Sequence, residues 1–136
     1  MGVIFPSPEW LDTFFEKLNS DVHYAQVARN WEADMLVVVE PGGPLKDKLY
    51  YYFDLWHGKC RKIEILKDQS SVNPKFILST TYENITRLFK GELDPVQAML
   101  TRKLQVHGSM AYMMRNVPTV LDFVRCMREV DTDLLY

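Results

Sequence analysis

A stretch of twenty residues, 89–108, constrains the fold of this chain more than any other part of the sequence. It starts at the end of a predicted helix that Gly91 terminates. Asp94 then caps a second, short helix, with Pro95 at the first helical position. The apolar alternation at 104–106 predicts a short strand, and a glycine turn follows it. Helix, short helix and strand in so few residues favour an α+β fold.

Four further strands are predicted before this stretch. Residues 35–40 are apolar almost throughout, which indicates a strand covered on both faces. Residues 49–56 carry apolar side chains in both alternations and predict a central strand. Residues 60–67 have one charged face, as edge strands do. Residues 76–80 give the fourth strand.

Helical periodicity predicts two helices within about 8–31 and four more around and after the last strand. The final helix begins at Pro118 and places Asp122 and Arg125 on the side that faces water. The helices are therefore expected to gather on the sheet of an α+β domain. A length of 136 residues predicts a single domain, 1–136, with its core at about 35–130.

Composition excludes several function classes. The net charge of −2 gives no electrostatic basis for a nucleic-acid partner. No apolar run approaches the ~18 residues of a membrane span, so no integral membrane segment is expected. The first residues lack the pattern of a signal peptide, which favours a cytoplasmic location.

Residues that often carry chemistry do not form a catalytic or metal-binding constellation in this sequence. His23, His57 and His107 lie on three separate predicted elements without the spacing of metal ligands. Cys60 faces His57 across a hairpin turn, but nothing nearby would orient a nucleophile and a base. No glycine-rich phosphate motif occurs. We therefore predict no catalytic residue, no metal and no cofactor.

Methionine gives the sharpest compositional signal, because five of the seven fall in the last third of the chain: Met99, Met110, Met113, Met114 and Met127. Flexible thioethers adapt to ligands of variable shape. They are also ordinary filler between packed helices. The residues alone leave both interpretations open.

Two other clusters also have alternative interpretations. The aromatic run 50–53, with Trp56, suits either a central strand or the wall of a ligand site, and the sequence does not say which face would bind. The basic residues Lys59, Arg61 and Lys62 suit either a solvated edge or transient contact with an anionic membrane surface.

Three short motifs occur in a fixed order: Leu88-Phe89-Lys90-Gly91, Leu93-Asp94-Pro95 and Lys103-Leu104-Gln105-Val106-His107-Gly108. Together they resemble the sterol carrier protein (SCP2-like) lipid-binding domain family, over roughly residues 20–130. Gly58, at the predicted hairpin turn, also fits. Arg102 and Ser109 depart from the family pattern, which usually has glycine and Asp or Asn at these places.

The resemblance implies a mixed five-stranded sheet covered by helices, with an apolar cavity between the sheet and the C-terminal helices. It also implies binding or carriage of a hydrophobic small molecule, such as a fatty acid, a fatty acyl-CoA or a sterol-like lipid, without covalent chemistry. The ligand-binding residues expected on this basis are Leu88, Met99, Val106, Met110, Met113, Met114, Val120, Phe123, Val124 and Met127.

Two other functions remain as alternatives. The first is a structural or interaction protein, dimerising or accessory to an enzyme, in which the cavity is filled. The second is a small enzyme acting on an apolar substrate, with Tyr52 or His107 as acid or base. The sequence also leaves a homodimer open.

Overall fold

The computed structural model describes residues 2–134 as two sheets and six helices. The strands are β1 (Val3–Phe5), β2 (Met35–Glu40), β3 (Leu49–Trp56), β4 (Lys59–Leu66), β5 (Phe76–Thr81), β6 (Leu104–His107) and β7 (Thr132–Leu134). The helices are α1 (Pro8–Ser20), α2 (Val22–Val27), α3 (Tyr82–Phe89), α4 (Pro95–Leu100), α5 (Met110–Arg115) and α6 (Val117–Glu129). Every predicted element is present, and β1 and β7 are additional.

The larger sheet has five strands in the order β4-β3-β2-β5-β6. The pair β2 and β5 is parallel, whereas the other neighbours are antiparallel. The prediction of a mixed five-stranded sheet is therefore confirmed, and β4 lies at an edge as its charged face indicated. The apolar strand β2 is central, and its outward residues Leu36 and Val38 are 0% and 2% exposed.

Side-chain caps fix where most of the helices begin. Ser7, Asp21, Thr81, Asp94 and Ser109 each accept a hydrogen bond from the backbone amide three residues ahead. A cap of this kind contributes about 1 kcal/mol to a helix. No helix within the described chain has the length and apolar character to cross a membrane.

Side chains alternate along β3, so only every second residue faces the helices. Tyr51, Phe53 and Leu55 are buried and line the space beneath the helices. The neighbours Tyr50 and Tyr52 lie on the opposite face, because successive strand residues alternate between faces. The face of β3 that borders the space beneath the helices is therefore the one with Tyr51, Phe53 and Leu55, which the sequence alone did not indicate.

The prediction that Asp122 faces water is wrong, since its side chain is 6% exposed. It lies where α6 packs against α2, with His23 Nδ1 2.9 Å from its Oδ1 atom. Arg125 Nε donates to the same oxygen at 2.7 Å, and Arg125 Nη2 donates to Asp21 Oδ1 at 2.6 Å. One guanidinium therefore joins the start of α2 to α6.

The two ends of the described chain meet in a second, parallel sheet of β1 and β7. Trp10 Nε1, from α1, donates to Thr132 Oγ1 in β7 at 2.8 Å. Phe5 in β1 is 1% exposed and contacts the Trp10 ring edge-on at a centroid distance of 4.9 Å. The terminal strands therefore add an aromatic side chain to the core.

The turn between β3 and β4 gives a first prediction. Gly58 has φ of +80°, and a Cβ atom there would lie 2.5 Å from the Ala25 carbonyl oxygen. We expect Gly58→Ala to lower the free energy of unfolding by roughly 1–3 kcal/mol, from strain and from the clash. Gly42→Ala is the matched control, because a Cβ there meets nothing within 4 Å. Urea denaturation measures both, and equal stabilities would contradict the prediction.

The ion network gives a second prediction. The hydrogen bond from Arg125, with further ones from the Tyr24 amide and Lys17, holds the pKa of Asp21 well below its usual range. This stabilisation is complete above the unfolded-state pKa of about 4 and is lost as the pH falls below it. We expect Asp21→Asn to cost about 1–3 kcal/mol at pH 7. The variant should also lose less stability than the wild type between pH 5 and pH 3, measured by urea denaturation at each pH. A parallel loss in both proteins would argue against this role.

Candidate functional site

A cavity of about 90 Å³ lies between the five-stranded sheet and the helices. A single water molecule needs roughly 10–15 Å³ of such space, so there is room for roughly six to nine groups of that size. The strands of the five-stranded sheet contribute eight wall residues, Met35, Val37, Tyr51, Phe53, Leu55, Leu78, Thr80 and Leu104, and β1 adds Phe5. Helices α1 to α6 each contribute at least one more.

Two strand residues show directly that the helices do not fill this space. Val37 and Leu78 sit side by side at the middle of β2 and β5, facing the helices. Residues in such positions are normally fully buried, but both are only half-buried. Part of their surface therefore borders the cavity instead of a packed side chain.

Seven of the ten residues predicted to bind a ligand line the cavity: Leu88, Met99, Met113, Val120, Phe123, Val124 and Met127. Val106, Met110 and Met114 do not line it. Val106 is next to Leu78 in the sheet but belongs to the edge strand β6. α5 has only six residues, and Met113 is the one that reaches the wall. The contact of any of these residues with a ligand stays a prediction.

The aromatic part of the wall has eight members: Phe5, Trp10, Phe14, Tyr24, Trp31, Tyr51, Phe53 and Phe123. Phe123 was among the predicted residues, and the sequence left the run 50–53 open, but sequence reasoning missed the other five. Phe123, on α6, contacts Phe14 at a centroid distance of 5.1 Å and Phe53 at 5.6 Å, both edge-on. The apolar stripe of α1 was visible in the sequence, but nothing indicated that it faces a cavity rather than a filled core.

The polar groups of the two wall threonines are bonded to the backbone. Thr80 Oγ1 donates to the Lys103 carbonyl at 2.8 Å, and Thr119 Oγ1 donates to the Val27 carbonyl at 3.0 Å. Within residues 2–134, no side chain that carries a charge at neutral pH lines the cavity. The site therefore offers apolar contact and no ionic partner.

The nearest approach to a nucleophile and a base in the sequence is not a dyad in the structure. Burial raises the pKa of the Cys60 thiol to about 12. His57 Nε2 instead lies 2.6 Å from Glu32 Oε2 at the surface. A thiol held protonated, with its candidate base paired elsewhere, does not act as a nucleophile.

The two acid–base candidates of the enzyme alternative also lie outside the cavity wall. Tyr52 is on the opposite face of the sheet, where its hydroxyl donates to Asp34 Oδ2 at 2.7 Å. Burial, together with this bond, raises the pKa of Tyr52. His107 is exposed at the end of β6, paired in register with Ile77.

The basic run on β4 is largely neutralised by neighbouring side chains. Arg61 Nη2 lies 3.0 Å from Asp54 Oδ1, and its guanidinium stacks over the Trp56 ring at 4.8 Å. Lys62 Nζ lies 3.5 Å from Glu64 Oε2. These contacts favour the interpretation of the run as a solvated edge.

Fold and cavity together define an α+β module that encloses an apolar space beneath its helices. Residues 11–120 match the SCP-2 sterol transfer family, and the chain belongs to that family. A search of curated proteins finds no significant match.

Solved structures share this fold. A crystal structure of sterol carrier protein 2 is similar with a TM-score of 0.82 and 24% identity, covering 91% of this chain and 97% of the other. A conserved hypothetical protein from Thermus thermophilus, described as possibly sterol carrier protein, is similar with a TM-score of 0.82 and 22% identity. The match covers 93% of this chain and 90% of the other. Palmitated SCP2L2 from Aedes aegypti is similar with a TM-score of 0.53 and 14% identity, and the match covers 82% of this chain and 93% of the other.

Two adjacent methionines test the placement of the wall. Met113 lines the cavity and is 1% exposed, whereas Met114 is half-buried and outside the wall. We expect Met113→Ala to cost about 2–4 kcal/mol, because it removes buried surface and enlarges a void. Met114→Ala should cost less than about 1 kcal/mol. Thermal and urea denaturation of both variants would measure this, and the reverse order would show that α5 is rotated from its position here.

Proposed function

We propose that this protein binds a hydrophobic lipid in the cavity beneath its helices and carries it without covalent chemistry. The observation that carries the proposal is an unfilled space in the centre of the molecule with an apolar wall and no ionic group. An empty apolar void costs stability, so a protein that only needed a core would gain by filling it. A ligand that fills the void offsets that cost.

Burial of apolar surface supplies enough free energy for this function. Covering roughly 300 Å² of ligand at about 25 cal/mol per Å² gives on the order of 7 kcal/mol before the cost of association. Micromolar binding corresponds to about 8 kcal/mol, which this area alone does not reach. A fully buried sixteen-carbon chain, at about 0.8 kcal/mol per methylene, supplies roughly 13 kcal/mol, and an association cost of about 4–5 kcal/mol then leaves micromolar affinity without any charged contact.

A lipid of sixteen or more carbons needs more space than the present 90 Å³. Binding therefore requires the helices to move outward. Met99, Met113 and Met127 lie in the wall, and their unbranched side chains can change rotamer to follow a ligand. The start of α6 has no side-chain cap at Asn116, and the Thr119 hydrogen bond to the Val27 carbonyl attaches it to α2.

The comparisons support a lipid as the ligand. The chain belongs to the SCP-2 sterol transfer family, and a protein of the same fold was solved in palmitated form. The acids and bases considered for an enzyme lie away from the cavity wall, which weighs against catalysis there. A cytoplasmic location and the absence of a nucleic-acid partner remain predictions from the sequence.

A pair of substitutions on β5 tests the proposal. Leu78→Trp should fill part of the cavity, while Ile77→Trp adds the same ring on the opposite face of the same strand. Native mass spectrometry should detect bound lipid in wild type and in Ile77→Trp, either co-purified or taken up from vesicles. Leu78→Trp should retain at least fivefold less.

The same experiment can reject the proposal. A wild-type protein that arrives without lipid and takes up none from vesicles would favour a structural or interaction role. Equal lipid occupancy in Leu78→Trp and Ile77→Trp, with both folded by circular dichroism, would move the binding site away from this cavity.

A further inference from the structure

Two arginines of α6 adjoin wall residues in the sequence, and both form hydrogen bonds with other protein groups. Arg125 follows the wall residue Val124 in α6, but Asp21, Asp122 and Glu129 accept its hydrogen bonds at 2.6–2.9 Å. Four of the five N–H donors of this guanidinium are used in this way, and its charge is directed at three carboxylates outside the cavity wall.

The second cation of α6 is engaged in the same way. Arg128 follows the wall residue Met127, and its Nε donates to the Leu88 carbonyl at 2.6 Å. Its Nη2 donates to the Leu93 carbonyl at 3.2 Å. The helix that covers the cavity therefore directs both arginines of its second half to protein groups.

The two tyrosines of the wall add no polar surface to the cavity. Tyr24 and Tyr51 both line the cavity and are 1% and 3% exposed. Neither hydroxyl forms a hydrogen bond with another residue of the described chain. Burial raises the pKa of Tyr51 to about 12, and that of Tyr24 is raised for the same reason, so both side chains are uncharged at physiological pH. Their rings therefore give the cavity aromatic contact and no partner for an anion.

We propose that the cavity selects uncharged lipids, such as long-chain alcohols, esters or sterols, over ionised fatty acids of the same length. This inference rests on the proposed lipid-binding function. An ionised carboxylate drawn into this space would lose its water and meet no cation, which strongly disfavours the charged form. A carboxylate left at the surface would keep its water but leave part of its chain outside the wall. An uncharged head group loses far less free energy on leaving water than a carboxylate does, so the whole ligand can enter the cavity.

Three ligands with the same sixteen-carbon chain test the selectivity on the delipidated wild-type protein: 1-hexadecanol, methyl palmitate and palmitate. Each competes at pH 8 with a neutral fluorescent sterol, below the concentration at which any of them aggregates. We expect the alcohol and the ester to displace the sterol at concentrations at least tenfold lower than palmitate.

A designed cation should reverse the preference. Leu78→Lys places an ammonium at the wall, and Ile77→Lys is its matched control on the opposite face. Circular dichroism tests whether each variant is folded. If Leu78→Lys does not fold, the competition of the three ligands on the wild-type protein still tests the selectivity. In a folded Leu78→Lys protein, the affinity for palmitate should rise at least tenfold relative to the affinity for hexadecanol. In Ile77→Lys, the ratio of the two affinities should stay as it is in the wild type.

The outcomes separate this inference from the proposed function. Palmitate that competes as well as the alcohol in wild type would overturn the selectivity and leave lipid binding intact. A folded Leu78→Lys protein that shows no gain for palmitate would also contradict it. Failure of the sterol and all three ligands to bind would overturn lipid binding itself, and the selectivity with it.

Discussion

The edge-on contacts of Phe123 with Phe14 and Phe53 set the spacing between the helical layer and the sheet in the closed form described here. These rings join α6, α1 and β3, and an aromatic ring cannot shorten or fold as a methionine side chain does. Where rings meet, the layers are in contact. Beside them, over Val37 and Leu78, the helices stand too far from the sheet for those shorter side chains to fill the gap. The cavity is thus a consequence of rigid spacers in a core that otherwise packs closely.

Polar interactions fasten the same layers from outside the cavity. Arg125 connects α6 to the start of α2, and Arg128 connects it to the carbonyl groups of Leu88 and Leu93. A buried charge is tolerable only when it is paired, and here the pairing is made where the helices meet one another. The charge therefore contributes to the attachment of the cover without entering the space beneath it. An apolar interior is therefore compatible with charged groups that attach the second half of α6 to its neighbours.

The strands and helices were predictable because each carries a local signal, whereas side-chain placement depends on pairing. The alternation in 49–56 identifies a strand, but with apolar residues in both phases only the register with β2 and the packing of α1 and α6 select the buried face. β1 and β7 have three residues each, too few for any period to be visible. Asp122 looked like a surface residue because its partners, His23 and Arg125, are a contact between helices that no single-helix pattern contains. The methionine cluster pointed to the right helices, yet it did not separate Met113 from Met110 and Met114.

A cavity of this size couples ligand binding to stability. At about 24 cal/mol per Å³, an apolar void of 90 Å³ costs on the order of 2 kcal/mol, a substantial part of the margin of a domain this small. A ligand that fills it returns that free energy and stabilises the native state in proportion to its occupancy. The uncapped start of α6 belongs to the same cover, and an opening motion there would have to break the Thr119 hydrogen bond to Val27. Filling the void and securing α6 would each make a more stable protein, and each would remove a property that ligand exchange requires.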